Sequence, residues 1–159
     1  MFSLQTVLVP IDFSLSALAG LRHAVELVKP QGGSVLLLHV VNPAASGISE
    51  AEAIGGRVLA RFEDRLEKLA NRLRAEELTV EAHVLIGSVE DEILAMANRR
   101  GVDLIVIGTH GHSGWGHHLL GSTAERIVRR ADCPVLIVKD QLVAQRLEVE
   151  VEEAGESSG

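Results

Sequence analysis

Aromatic residues are scarce: three Phe, one Trp and no Tyr in 159 residues. A platform that stacks single-stranded nucleic acid needs exposed aromatic faces, so that class of partner is excluded. The core must instead be built from Leu, Val, Ile and Ala. There is one cysteine, Cys133, which rules out an intramolecular disulfide and any metal centre made of several cysteines. Its place before an apolar run marks it as a small core residue. Basic charge is not in surplus: Lys and Arg number 15 against 22 Asp and Glu, for a formal net charge of -7. With no basic stripe, neither DNA, RNA nor anionic lipid is an expected partner. No apolar run approaches the ~18 residues of a membrane-spanning helix. Residues Met1 to Gln5 also lack the basic and apolar regions of a secretory signal, so the expected compartment is the cytoplasm.

The charge that is present is uneven. Residues 140–159 hold six acids (Asp140, Glu148, Glu150, Glu152, Glu153 and Glu156) against Arg146 alone, so they carry most of the net negative charge. The expected organisation is therefore a single domain over residues 1–139 and an acidic, partly disordered tail over 140–159. Within that tail Leu147, Val149 and Val151 alternate with acids and suit an edge strand.

Residues Thr6 to Val9 form an apolar, β-branched run stopped by Pro10, the pattern of a strand buried on both faces. Ser14 or Ser16 can cap the next helix, whose Leu18, Leu21, Val25 and Val28 follow three- and four-residue spacing; Pro30, Gly32 and Gly33 end it. Ser34 to Val41 is a second buried strand. A flexible connection from Pro43 to Ser49 is expected next. Ser49 and Glu52 have capping-box spacing and open a helix carrying Leu59, Phe62, Leu66, Leu69 and Leu73. The charges between Arg57 and Arg74 form its solvated face. Val80, Ala82 and Val84 alternate with polar residues, as in a strand with one wetter face. A helix with Ile93, Leu94 and Ala97 follows, then a buried strand, Leu104 to Ile107. The last helix carries Ile127, Val128 and Ala131, and Val135 to Val138 is the last strand. The alternation predicts an α/β fold: an open, five-stranded parallel sheet with helices on both faces; taken as a flavodoxin- or Rossmann-like wind, its expected strand order is 3-2-1-4-5.

Such sheets bind ligands beyond the carboxyl ends of their strands, where the order reverses. Here that point lies between the first and fourth strands. A glycine-rich loop, Gly108 to Gly121, follows the fourth strand, and Pro10-Ile11-Asp12 leaves the first. Glycines let successive backbone amides approach an anion, and the helix opening near Ser122 adds free amides and the positive end of its dipole. Ser122 and Thr123 can donate hydroxyls to phosphate, and His112 can contribute when protonated. Asp12 is placed for ribose or base polar groups, and Val40 for packing on adenine. A plainer reading stands beside this one: Ser122-Thr123-Ala124-Glu125 is also a capping box, and glycine-rich loops often only turn corners. The loop has neither a Walker ending nor the dinucleotide spacing. His110, His112, His117 and His118 suit a metal such as Zn or Ni, against the ordinary reading of solvated or phosphate-facing rings. Trp115 covers a ligand or meets a partner. His39 is expected to be hydrogen-bonded in the interior rather than catalytic.

The spacing Gly108, Gly111, Gly121, Ser122 fits G-x2-G-x9-G-S/T, and with it the chain resembles the nucleotide-binding members of the universal stress protein family. The similarity extends to Val7 to Ser14, to Leu38-His39-Val40 and to Cys133 to Val138, about residues 3–139 in all. It implies a regulatory adenine-nucleotide binder: Pro10, Asp12 and Val40 framing base and ribose, and Gly108, Gly111, His112, Gly121, Ser122 and Thr123 holding phosphates, with Thr109 a further nucleotide-binding residue. ATP, ADP or AMP is the implied ligand, with Mg²⁺ accompanying a triphosphate. The resemblance also implies a homodimer through the last strand, as does the open backbone ladder of Val135 to Val138. A protein partner responding to the nucleotide state is expected. A slow nucleotide hydrolase using the same cleft, or a nucleotide-free interaction protein, are the competing functions. The acidic tail departs from the family pattern.

Overall fold

The computed structural model describes residues 3–109 and 120–139. Its elements are β1 (Thr6–Pro10), α1 (Leu15–Val28), β2 (Ser34–Val41), α2 (Pro43–Ser46), α3 (Glu50–Ile54), α4 (Arg57–Ala75), β3 (Thr79–Ile86), α5 (Val89–Arg100), β4 (Leu104–Gly108), α6 (Ser122–Arg130) and β5 (Val135–Val138). The strands form one parallel sheet in the order β3-β2-β1-β4-β5, the order expected of the flavodoxin- or Rossmann-like wind.

Side chains of a strand point alternately to the two faces, and the apolar runs divide accordingly. Val7, Val9, Val35, Leu37 and Val106 pack against α1 and α4 residues such as Val25, Leu66 and Ala70. Their neighbours Leu8, Leu36, Leu38, Ile105 and Ile107 pack against Ile93 and Ala97 of α5 and Ala124 and Ile127 of α6. Both faces are dry, which is why these strands read as unbroken hydrophobic runs. Cys133 is half-buried against the second layer. At the outer edge, β3 buries Val80 and exposes Thr79 and Glu81.

Ser14 caps α1 by accepting from the Ala17 amide at 3.1 Å. The chain from Pro43 to Ser49 is not a featureless connection, because Pro43 at the first helical position and the Asn42 side chain start the short turn α2. The Ser49–Glu52 capping box forms, but its helix does not run through to Leu73. Gly55-Gly56 breaks it, Gly56 sitting at φ 87, a left-handed backbone that only glycine adopts cheaply. In α4 the buried stripe is Leu66, Ala70 and Leu73, with Phe62 and Leu69 half-buried. Its charged face is not wholly solvated: Arg74 is half-buried and donates to the Val80 carbonyl at 2.9 Å. In α6 only Ala124 and Ile127 are buried, and Val128, expected inside, is 47% exposed. No helix among the described residues is long and apolar enough to cross a membrane.

Candidate functional site

The β1–β4 ladder covers only the pairs Val7–Leu104 and Leu8–Ile105. Beyond it the chains part: β1 runs out toward α1, and β4 toward the glycine-rich loop. A cleft of about 220 Å³ opens there, just under the ~300–1,000 Å³ of typical small-molecule sites. Of the ten residues singled out in the sequence, Pro10, Asp12, Val40, Gly108, Thr109, Gly121, Ser122 and Thr123 line it together. Gly111 and His112 lie outside the described residues, as do His110, His117, His118, Trp115 and the tail from Asp140. The sequence reading missed Ser14 and Ala17 on α1 and Val89 and Ile93 on α5. The available signal was topological: β3 lies beside β2, so the helix after β3 begins next to the exit of Val40.

One wall is the exit of β1. The Ile11 amide makes the last sheet bond, to the Leu38 carbonyl at 2.8 Å. The buried Ile11 carbonyl then accepts from His39 Nδ1 at 2.6 Å. A carbonyl only accepts, so Nδ1 carries the proton. His39 is thus a hydrogen-bonded interior residue, 8% exposed. Its pKa is lowered, first by burial and further by Arg65, against the raising effects of the Ile11 bond and Asp12. Asp12 Oδ1 accepts from the Ser14 amide at 2.9 Å, which ties the carboxylate to the start of α1. Phe13, between them, sits at φ 63, a left-handed conformation costing ~1–2 kcal/mol outside glycine. Its ring lies 5.1 Å from His39 and 6.3 Å from Phe62, with the Arg65 guanidinium 4.0 Å above it. Such aromatic and cation–π contacts contribute ~0.5–1.5 kcal/mol each, enough to offset the strain.

The other wall is built from the two ends of the glycine-rich loop. The Thr109 amide donates to Val138, and the Thr109 carbonyl accepts from the Gly121 amide at 2.8 Å, so loop entry and exit are tied together. Neither Gly108 nor Gly121 has a positive φ; Gly121 has φ -60 and ψ 150. Gly108 is required by packing. A Cβ there would meet the Ser16 side chain and lie 2.5 Å from the Ser16 carbonyl carbon and oxygen.

The capping box expected at Ser122 does not form, because Gly121 occupies the N-cap and the helix has begun by Ser122. Glu125 pairs instead with Arg129 at 2.9 Å. The hydroxyls of Ser122 and Thr123 are therefore placed at the cleft rather than consumed by a cap. The first amides of α6 have no partner within the helix, and α1 also begins at the cleft, so two helix dipoles offer it their positive ends. Among the described lining residues Asp12 is the one carboxylate and there is no Lys or Arg. The cleft thus has a carboxylate and an apolar wall at one end and backbone amides with hydroxyls at the other. Such a surface suits a polar ring system joined to an anion. No group of three or more His, Cys, Asp or Glu that could hold a metal ion occurs among the described residues.

Comparison with known proteins agrees with this architecture. A family model described as Universal stress protein family matches residues 3–139. Universal stress protein MJ0531 of Methanocaldococcus jannaschii is 32% identical over 139 residues, covering 85% of this chain and 82% of that protein. The solved structure of MJ0577 superposes with a TM-score of 0.75 at 27% identity, covering 84% of this chain and 94% of that one. A universal stress protein solved in complex with cAMP superposes with a TM-score of 0.64 at 25% identity, covering 86% and 97%.

Proposed function

Because the chain belongs to the universal stress protein family, we propose that it is a regulatory binder of adenine nucleotides, with ATP as its principal ligand. The observation that carries this reading is the meeting, in one cleft, of Asp12 and Val40 with the amide end of α6. The G-x2-G-x9-G-S/T spacing supports it, as does the cAMP bound by a related protein. In this reading Pro10, Asp12 and Val40 hold base and ribose. Gly108, Thr109, Gly121, Ser122 and Thr123, with Gly111 and His112, hold the phosphates. With one carboxylate among the described lining residues, Mg²⁺ would arrive on the phosphates of a triphosphate and not be held by a protein cage.

The domain in this proposal is residues 1–139, the compartment is the cytoplasm, and the nucleotide state acts on a dimer or protein partner. Support for a homodimer comes from β5, an edge strand paired only with β4 among the described strands and with Val135, Leu136 and Ile137 half-buried. A second copy covering that edge would remove its open ladder. A monomeric mass at micromolar concentration in sedimentation would refute the dimer.

The binding test is direct. Purified protein is denatured and the supernatant analysed for released nucleotide; calorimetry and thermal shift then follow with ATP, ADP, AMP and cAMP. At one hundred times Kd a ligand stabilises by ~2.7 kcal/mol, a rise in Tm of ~5–10 °C for a domain of this size. Gly121→Val should remove the binding. Absence of both released nucleotide and any thermal shift refutes the proposal. ADP accumulating linearly with wild type but not with Gly121→Val would favour the hydrolase.

A further inference from the structure

Asp12 is flanked by two residues that are each held by side chains of other elements, one of which, His39, also lines the cleft. On one side the Ile11 carbonyl has left the β1–β2 ladder and takes the His39 Nδ1 proton at 2.6 Å. On the other, Phe13 is held at φ 63 in a wall formed with His39, Phe62 and Arg65. The His39 and Phe62 rings are themselves 4.3 Å apart, so the wall is continuous from β2 to α4. The peptide before Asp12 and the peptide after it therefore have set orientations, and the carboxylate is tied to the Ser14 amide. A mobile carboxylate would have to be ordered at the moment of binding, whereas this one is already placed.

We infer that His39 is a positioning residue for ligand recognition: through the Ile11 carbonyl, and backed by the Phe13–Phe62–Arg65 wall, it fixes Asp12 in the orientation that reads the base and ribose. This inference rests on the adenine-nucleotide reading of the cleft and adds to it the residue that sets base selectivity. Because His39 also lines the cleft, positioning is separated from direct contact by His39→Asn, which removes the ring but keeps an N–H for the Ile11 carbonyl. Substituting it should alter discrimination between bases, while a general loss of stability should not.

The experiment measures Kd for ATP and for GTP by calorimetry, well below the melting temperature, on wild type, His39→Leu, His39→Asn, Asp12→Asn and Leu66→Ala. Leucine fills the ring volume but leaves the buried Ile11 carbonyl without its donor. Asparagine carries an amide N–H at the position of Nδ1 and restores it. Leu66 is a buried core residue of α4, one helical turn beyond Phe62, and serves as the control for destabilisation. His39→Leu should weaken ATP binding about tenfold, the worth of one ligand hydrogen bond lost when Asp12 is no longer held in place, and should shrink the ATP-over-GTP preference. His39→Asn should recover most of both, and Leu66→Ala should lower Tm with the preference intact. Should His39→Leu fail to fold, Phe13→Gly keeps the backbone conformation, removes the wall and should show the same loss of preference. Equal weakening of ATP and GTP in the His39 variants, or unchanged selectivity where Asp12→Asn loses it, overturns the positioning role and leaves the nucleotide reading standing. A folded wild type that binds no adenine nucleotide overturns both.

Discussion

Gly108 sits beneath the first turn of α1, and its substitution separates the needs of the fold from those of the ligand. A Cβ built on it lies 2.5 Å from the carbonyl carbon and oxygen of Ser16, whereas carbon atoms in ordinary contact stand ~3.5–4.0 Å apart. Gly108→Ala must therefore push α1 and β4 apart by about 1 Å. Helix α1 cannot yield freely. Ala17, Ala19, Leu21 and Ala24 are all buried, so a shift of the helix disturbs their packing as well. Overpacking costs ~1–3 kcal/mol, and displaced main chain belongs at the upper end of that range. With ~2–4 °C of Tm per kcal/mol in domains near this size, a cost of about 3 kcal/mol lowers Tm by about 6–12 °C.

The measurement is thermal unfolding of ligand-free Gly108→Ala beside Gly121→Ala. At Gly121 the backbone conformation suits any residue, so the expected stability loss is only ~0.5–1 kcal/mol, from alanine being the poorer N-cap. Nucleotide affinity should move the other way, with Gly121→Ala affected directly and Gly108→Ala through the displaced helix. A ligand-free Gly108→Ala protein melting within about 2 °C of wild type would refute the packing argument and return Gly108 to a purely ligand-facing role.

Three further outcomes follow from the same geometry. Phe13→Gly should be more stable than Phe13→Ala by about 1 kcal/mol, because alanine keeps the left-handed strain and glycine does not; denaturant midpoints in the opposite order would refute the strain. His39 binds its proton more weakly folded than unfolded, so the unfolded chain holds more protons as pH falls below the ordinary histidine value of 6.5. The corresponding stability is complete above that value and is lost as pH falls through it toward the lowered folded pKa, a slope that His39→Leu should flatten in urea titrations. Ser122→Ala should change stability by less than ~0.5 kcal/mol, since no cap bond is lost. Its affinity for ATP should fall severalfold in calorimetry, a hydrogen bond being worth ~0.5–1.5 kcal/mol.

Legibility in the sequence followed the range of the forces involved. Strands buried on both faces declare themselves as unbroken apolar runs, and their alternation with helices gives a parallel sheet; its order followed from the flavodoxin- or Rossmann-like wind expected of five such strands. Local chemistry was less decisive. Ser49–Glu52 and Ser122–Glu125 share the same spacing, yet only the first forms its box. At the second the N-cap is Gly121, and Arg129 takes the Glu125 carboxylate one turn away. The doublet Gly55-Gly56 stands plainly within the apolar periodicity that spans α3 and α4, but periodicity alone carried the helix through it. The left-handed Phe13 was out of reach, since nothing in a phenylalanine announces positive φ. Only the contacts with His39, Phe62 and Arg65, brought from 26 to 52 positions along the chain, sustain it.

These long-range contacts change the meaning of the glycine-rich loop. One of its two described end glycines, Gly108, is explained by helix packing, and neither end glycine uses a special backbone angle. On the proposed reading the loop's contribution to binding at its described ends is the amides and hydroxyls at the start of α6. On the same reading the selective end of the cleft is the β1 exit with its aromatic backing. These two halves are joined by a ladder covering only Val7–Leu104 and Leu8–Ile105, while β1 and β2 pair at five positions from Thr6 to Pro10. A ligand held by Asp12 at one end and α6 at the other spans the place where the sheet's own hydrogen bonding has ended. On the proposed reading such a ligand lies beside Asp12, whose neighbour Phe13 packs against Phe62 and Arg65 of α4, and beside Thr109, whose amide bonds Val138 of β5. Both sets of contacts run from the cleft to elements outside it, the arrangement that the proposed regulator requires.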